Sequence, residues 1–397
     1  MSSVKMMTNA EKAAVEELRK KFADILSPKL YENTLMFYRF LKARNFNLDN
    51  AEHMLRKNIQ WRKEQDIDNI FTYKLPEVVE KYVPESRFGF DKDGCPARYI
   101  PLGRADAKGI QLSAKFNDIN KVAVRELESD LQILEHHYNR FGKILGGCTY
   151  VYDMRELTFA KATDKAVIEH FAYFVTLYQD NYPEMMKALY IINPPMFFSI
   201  PFTIIKACLT GTLLSKITIL AKDDWKEELL KRFDADQLPA FLGGTMTDPD
   251  GNPMCYTIVN HGELVPESYY IHKSKKSLAQ AEGVKKITLS RGSFSEVTVE
   301  VKECGSLIEW EYETNSRDIM FGLLFQEMGI NGKNIIELVP TQKIDTNDYP
   351  QTGMYKCGKV GTYVILFDNS YSWIRSKRIY YRVKVVPPDD QEITIVD

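Results

Sequence analysis

Apolar residues recur at three- and four-residue intervals through the first 75 positions, which is the spacing of helix faces. Leu18, Phe22 and Ile25 mark a first helix, and Thr8 with Glu11 forms a capping-box pattern at its start. The aromatic-rich "NTLMFYRFLKARNF" predicts a second helix. A third, "NLDNAEHMLRKNIQWRKEQ", places Ala51, Leu55 and Ile59 on one stripe, with Arg56, Lys57, Arg62 and Lys63 off it. Beyond residue 75 the period changes. "FGFDKDGCPARYIPLG" reads as strand, Asp-Lys-Asp-Gly turn and strand, a hairpin. Val124, Leu127, Leu131, Leu134 and Tyr138 mark a long amphipathic helix.

Three short apolar runs follow: "CTYVYDM" (148–154), "ALYIIN" (188–193) and "KITIL" (216–220). Each reads as a buried strand. Between them Val167, Phe171, Phe174 and Tyr178 mark one helix, and Phe198, Phe202, Ile205 and Leu209 another. "DDWKEELLKRF" (223–233) predicts a further helix capped by Asp223 or Asp224. Strands alternating with helices imply an α/β domain with a mainly parallel sheet and helices packed on it. Gly243, Gly244, Pro249, Gly251 and Pro253 then mark a boundary. From about Gly283 the period is two. "KKITLSRGSFSEVTVEVKE" and "SLIEWEYET" alternate, and Ile379, Tyr381, Val383 and Val385 share a face opposite Tyr380, Arg382 and Lys384. This predicts an antiparallel β-sandwich. The chain therefore reads as multidomain: a helical segment 1–75, an α/β domain 76–247, a linker 248–272 and an all-β sandwich 273–397.

Charge and motif content narrow the function. A net charge of −2 offers no basic field for nucleic acid. The six cysteines are scattered without CxxC spacing, and the N-terminus lacks a signal-peptide core, so they read as free cytosolic thiols. GxSxG, HExxH, GxGxxG and P-loop patterns are absent. Adjacent His136 and His137 would point about 100° apart on a helix, which disfavours a shared metal. Asp153, Arg155 and Glu156, at the end of a buried strand, read either as a catalytic trio or as a structural ion pair. No catalytic residue, metal or cofactor is assigned.

The stretch 196–220 changes the picture most. It holds fifteen apolar residues and two charges, Lys206 and Lys216, interrupted by Pro201 and Gly211. A membrane span needs about 20 nearly uninterrupted apolar residues, so this stretch does not cross a bilayer. A helix apolar nearly all round is either buried or meets lipid. Two readings stand: an ordinary core helix, or a movable lid hinged at Gly211. The lid reading gains from the surroundings, because 185–222 carries Lys187, Lys206, Lys216 and Lys222 and no acid, which suits an anionic interface. A lipid leaving a bilayer needs a closed apolar container, since each exposed CH₂ costs about 0.8 kcal/mol. Phe171, Phe174, Tyr178, Phe198, Phe202, Ile205 and Leu209 are its candidate lining, with walls at 148–154, 188–193 and 216–220. Lys206 and Lys216 are the candidate membrane contacts.

"FYRFLKARNFNLDNAEHMLRKNIQWRK", "DKDGCPARY", "GCTYVYDM", "NYPEMMKALYIINPPMFF" and "LPAFLGG" resemble the CRAL-TRIO lipid-transfer family, over residues 10–247. "GTYVILFDNSYSWIRSKRIYYRV" resembles a GOLD domain, a β-sandwich of Golgi-associated and lipid-trafficking proteins. The resemblance implies a CRAL-TRIO lipid-binding domain with a gating helix, a hydrophobic ligand such as tocopherol, squalene, a retinoid or a phospholipid, and reversible membrane association from the cytoplasm, including Golgi membranes. It also makes Thr158, Glu184 and Lys226 (or its neighbour Glu227) candidate head-group residues. The function expected is lipid binding and transfer, without catalysis. The rivals are a lipid-sensing adaptor whose sandwich recruits a protein partner, and a lipid-modifying hydrolase using Asp153 or His137.

Overall fold

The computed structural model describes residues 5–221, 224–271, 278–315, 318–329, 332–346, 350–373 and 375–391. The chain divides into two units, and neither is one continuous stretch. Met1–Leu157, Phe174–Pro194 and Leu209–Ile271 form the first; Thr158–Tyr173, Pro195–Cys208 and His272–Asp397 form the second.

The first unit opens with helices Asn9–Lys20, Thr34–Ala43 and Leu48–Glu64. Thr8 and Glu11 close the expected capping box, which satisfies orphan N–H groups at the helix start. Leu18 and Phe22 are fully buried, whereas Ile25 remains 49% exposed. The third helix buries Ala51, Met54, Leu55 and Asn58, while Ile59, expected on the same stripe, is only half-buried, so the inward face is turned toward Met54 and Asn58. The sheet runs β1 (Ser86–Phe90), β2 (Pro96–Ile100), β3 (Cys148–Asp153), β4 (Met186–Ile192) and β5 (Ile217–Leu220), in that spatial order. The β1–β2 pair is the antiparallel hairpin; the remaining neighbours are parallel. The turn works because Asp91 accepts N–H bonds from Asp93 and Cys95 (2.9 and 3.0 Å), and Gly94 takes the left-handed angle (φ +82°). Val151 and Ile192 on the sheet, with Trp225, Leu229, Phe233 and Leu242, form a packed core.

Helix Phe116–Phe141 brings Asp130 to Arg98 of β2, and both are essentially solvent-free. The guanidinium donates to both Asp130 oxygens (2.6 and 2.9 Å), pairs with Glu126 at 2.8 Å and has Glu85 at 3.6 Å. Burial pushes Glu85 up to about 7, with Glu126 and Asp130 adding to the effect of desolvation and Arg98 opposing it. Segment 248–271, read from its glycines and prolines as a linker, packs along this unit. It buries Cys255, Val259 and Val265, and the Asn260 and Val265 N–H groups bond Ser86 and Asp106 (2.8 and 3.0 Å). The helix expected over 223–233 is shorter, Trp225–Leu230. Asp224 precedes it without a side-chain cap bond, and Lys222 and Asp223 lie outside the described residues.

The second unit is built on an antiparallel sandwich. Its strands are β6 (Lys285–Leu289), β7 (Phe294–Val301), β8 (Leu307–Thr314), β9 (Asp318–Gly329), β10 (Gly332–Asp345), β11 (Gln351–Lys356), β12 (Gly361–Asp368) and β13 (Lys377–Val386). One sheet has the order β10-β9-β12-β7, the other β11-β8-β13-β6. As the alternation predicted, Ile379 and Tyr381 are buried while Arg378 and Arg382 are exposed. Tyr312 stacks on Phe321 at 4.9 Å. Gly353 lets the Trp310 ring pass: a Cβ there would meet the indole at 2.4 Å. At one end of the sandwich Asp318 takes Lys377 and Lys343 as ion-pair partners and accepts the Tyr371 hydroxyl at 2.6 Å. Desolvation alone would raise Asp318, but these three partners hold it well below the usual carboxylate range.

Candidate functional site

The prolines at 194 and 195 end β4, because they supply no ladder N–H. A single 3₁₀ turn, Met196–Phe198, follows, then helix Ser199–Cys208. Pro201 is tolerated in its first turn, where the N–H would lack a helical partner. This helix is apolar nearly all round, yet none of its residues is buried. Phe202 and Ile205 are half-exposed, Lys206 is exposed, and Met196 just ahead is 99% exposed. An ordinary core helix would have closed over these side chains. Phe198 is the buried member, and it stacks on Phe202 at 5.6 Å.

Within the second unit this segment rests on the sandwich. Phe159, on helix Phe159–Thr163, belongs to the sandwich core, and Ala160, Phe197 and Ile200 pack against it. Phe159 and Phe197 meet edge to face at 5.7 Å. Polar ties flank the contact. Lys165 pairs with Glu309 at 2.9 Å, and the Thr352 hydroxyl donates to Asp164 at 3.2 Å.

Gly211 was expected to hinge the lid through unusual backbone angles. Instead it opens a short helix, Gly211–Leu214, whose cap is Thr210, and a side chain there would meet nothing within 4 Å. Nothing in its surroundings requires glycine.

The aromatic candidates fall in two groups. Phe171 lies half-buried in the second unit, as part of helix Lys165–Asn181. Phe174, Tyr178 and Leu209 belong to the first, where Phe174 and Tyr178 are 6.3 Å apart. Burial pushes the phenols of Tyr178 and neighbouring Tyr150 well up.

The polar candidates separate more sharply. Thr158 uses its hydroxyl to cap helix Phe159–Thr163, accepting the Lys161 N–H at 3.3 Å. Lys226 lies exposed over the Trp225 ring, 5.5 Å from its centre. Glu184 is the one that anchors a cluster. It follows the Tyr-Pro pair in a left-handed conformation (φ +57°), and Lys42 reaches it at 2.6 Å and Lys216 at 3.7 Å. Burial alone would raise Glu184; the two ammonium groups bring it below its ordinary value. Lys216 itself is lowered, because desolvation and Lys42 outweigh the attraction of Glu184. Lys216, expected at a membrane surface, is thus largely covered and committed to Glu184. Lys42 was missed by the sequence reading; its only signal was a lysine inside an aromatic helix. Arg39, one turn earlier, is 4% exposed, with Nη1 3.1 Å from the Met185 sulfur and Nη2 without a partner. Desolvation pulls it down to about 10. Arg39 also lines a cleft of about 150 Å³ with Asn33, Arg62, Glu135 and Tyr182.

The enzyme-like groups are structurally engaged. Asp153 accepts from the Tyr99 hydroxyl (3.0 Å), the Asn193 amide (2.8 Å) and the Arg155 N–H (2.9 Å). Glu156 pairs with Arg104 at 3.1 Å. His137 lies against the Lys143 carbonyl at 3.2 Å. Among the described residues no group of three or more ligand side chains could hold a metal, and no helix is long and apolar enough to cross a membrane.

Comparison with known proteins agrees with this architecture. The family model described as "CRAL/TRIO domain" matches residues 80–244, and "CRAL/TRIO, N-terminal domain" matches residues 14–57, together more than half of the chain. The chain belongs to the CRAL/TRIO family. Protein ctg-1 of Caenorhabditis elegans is 28% identical over 350 residues, covering 87% of this chain and 90% of its own. Protein real-time of Aedes aegypti is 27% identical over 79% of this chain, which spans about half (49%) of that longer relative. The solved structure of Sfh5 superposes with a TM-score of 0.51 at 18% identity, over 67% of this chain and 97% of Sfh5, a likeness of fold. CRAL/TRIO proteins are in general lipid-binding transfer proteins.

Proposed function

We propose that this CRAL/TRIO protein carries a hydrophobic lipid and exchanges it at membranes, with Ser199–Cys208 as the lid. The observation that carries the reading is a helix apolar on nearly every side with no buried residue. Such a surface is stable only when lipid, or a bilayer, covers it in part of the cycle. Exposed Lys206 would meet anionic lipid on its outer side. Lys42, Lys216 and Glu184 would receive the head-group. Two cations against one acid, with Arg39 one turn away and its Nη2 without a partner, favour an anionic group such as a phosphate. The C-terminal sandwich, GOLD-like in pattern, would support the lid through Phe159, Phe197 and Ile200.

The test is native mass spectrometry of the purified full chain together with stopped-flow transfer of a fluorescent lipid. Bound lipid is expected in the wild type. Phe202→Asp should expel it or abolish transfer, because an uncompensated charge against acyl chains costs several kcal/mol. Lys42→Glu with Lys216→Glu should lose anionic lipid and keep neutral lipid. A chain that carries no lipid, or a folded Phe202→Asp that transfers at the wild-type rate, sinks the carrier reading.

A further inference from the structure

The end of the sandwich that carries residues 290–293 and 369–373 exposes two aromatic rings. Trp373 is 87% exposed and Phe294 is 61% exposed. Single exposed apolar residues are common and need no explanation. These two differ because the loops that present them are locked together. Asp368, at the end of β12, is the register partner of Phe294, at the start of β7. Asn369, fully buried, follows directly. Its N–H donates to the Ser293 carbonyl at 2.9 Å, and its carbonyl accepts the Gly292 and Ser372 N–H groups at 3.2 and 3.1 Å. Its side-chain amide donates to the Ser290 and Arg375 carbonyls at 3.0 and 3.1 Å. The Ser372 hydroxyl adds a bond to Arg375 O at 3.1 Å. One buried asparagine thus ties both segments together on either side of Trp373.

The charge around these rings is mostly positive. Arg291, Arg375 and Arg378 are exposed, and no acid among the described residues pairs with them. Of the nearby acids, Asp318 pairs with Lys377 and Lys343, Asp368 accepts the Ser370 N–H at 2.6 Å, and Glu296 is exposed two residues along from Phe294, so the three arginines outnumber the acids left without a cation. Tryptophan, with an apolar ring and a polar N–H, is suited to the head-group layer of a bilayer, and arginine pairs with phosphate.

We propose that this end of the sandwich is a docking tip for an anionic lipid bilayer. Trp373 and Phe294 enter the head-group layer while Arg291 and Arg375 engage lipid phosphates. The tip is independent of the lid and of the lipid it covers, and it anchors the protein without consuming cargo.

The experiment uses the full chain with vesicles of phosphatidylcholine alone and of phosphatidylcholine mixed with phosphatidylserine. Flotation should show binding to the mixed vesicles only. Arg291→Glu with Arg375→Glu should weaken it by about tenfold or more, since each basic group near an anionic surface contributes substantially. Trp373→Ala with Phe294→Ala should weaken it comparably. Brominated lipid should quench wild-type tryptophan emission but not that of Trp373→Phe, because Trp225 and Trp310 are buried and Trp61 is half-covered. Circular dichroism confirms folding, and native mass spectrometry should find cargo unchanged in every tip variant. Unchanged binding by the charge-reversed protein, quenching that persists in Trp373→Phe, or wild-type protein that floats with neither vesicle overturns the docking tip. Wild-type protein that binds the mixed vesicles but holds no cargo would count against the carrier reading alone, and a tip variant that loses cargo would overturn the independence of the tip.

Discussion

Arg98 centres a buried ionic cluster in the first unit and Asp318 a partly exposed one in the second, and the surplus charge has opposite sign. Around Arg98 stand Asp130, Glu126 and Glu85, with Arg87 reaching Asp130 at 3.5 Å. Around Asp318 stand two lysines and a tyrosine. Acids outnumber cations in the first, so the least well paired acid, Glu85, is pushed up to about 7. Cations outnumber acids in the second, so Asp318 is driven down. What decides a buried group's pKa is therefore the local balance after desolvation, not burial alone. The consequences for pH run in opposite directions. Between about 4.5 and 7 the folded chain holds a proton on Glu85 that the unfolded chain releases, so this contribution to stability falls as pH rises through that window. The Asp318 contribution is complete above its unfolded value near 3.8 and is lost only as pH falls below it.

The comparison can be broken most directly at Arg98. Arg98→Met leaves Asp130 buried without its partner and should cost about 3–5 kcal/mol in urea unfolding. If it costs no more than the corresponding change at Lys377, the two clusters are not different in kind. Glu85→Gln removes the unwanted charge. It should stabilise by roughly 1–3 kcal/mol at pH 8 and by little at pH 5, read from urea midpoints at the two values. A gain that is equal at both values would mean that Glu85 titrates normally. Lys377→Met should cost about 1–2 kcal/mol, because Lys343 and Tyr371 still hold a partly exposed Asp318. It should also move the onset of acid unfolding to higher pH, followed by circular dichroism. Lys359→Ala, which breaks an exposed pair with Glu327 (2.9 Å), should change stability by less than about 0.5 kcal/mol.

Local chemistry was legible in the sequence wherever a short segment supplies its own partners. The Thr8–Glu11 capping box, the Asp91–Gly94 turn and the alternating face of Ile379 and Tyr381 all formed as read. Order along the chain also sufficed for the parallel sheet and the sandwich. The cluster around Glu184 was less legible. Glu184 was found, but Lys42 meets it from a helix and Lys216 from the turn before β5, and no spacing rule links them. Arg98 and Asp130 escaped for the same reason: a strand arginine and a helix aspartate become partners only once the helix lies on the sheet. The helical spacing of the apolar residues in 196–209 identified a helix but not its support. Phe197 and Ile200 carry no mark that they pack with Phe159 against strands encoded more than a hundred residues later.

That delayed support bears on how the protein is made. The chain passes between its two units five times, at 157/158, 173/174, 194/195, 208/209 and 271/272. During synthesis Phe159, Phe197 and Ile200 leave the ribosome well before any strand of the sandwich exists to receive them. A nascent chain stopped near residue 271 therefore holds two apolar excursions with no home, a natural client for a chaperone. The same order makes the molecule intolerant of being cut in two. A fragment beginning at 273 lacks part of its own core, and one ending there keeps the apolar 196–208 segment without its support, so the two halves are expected to fold well only as one translated product.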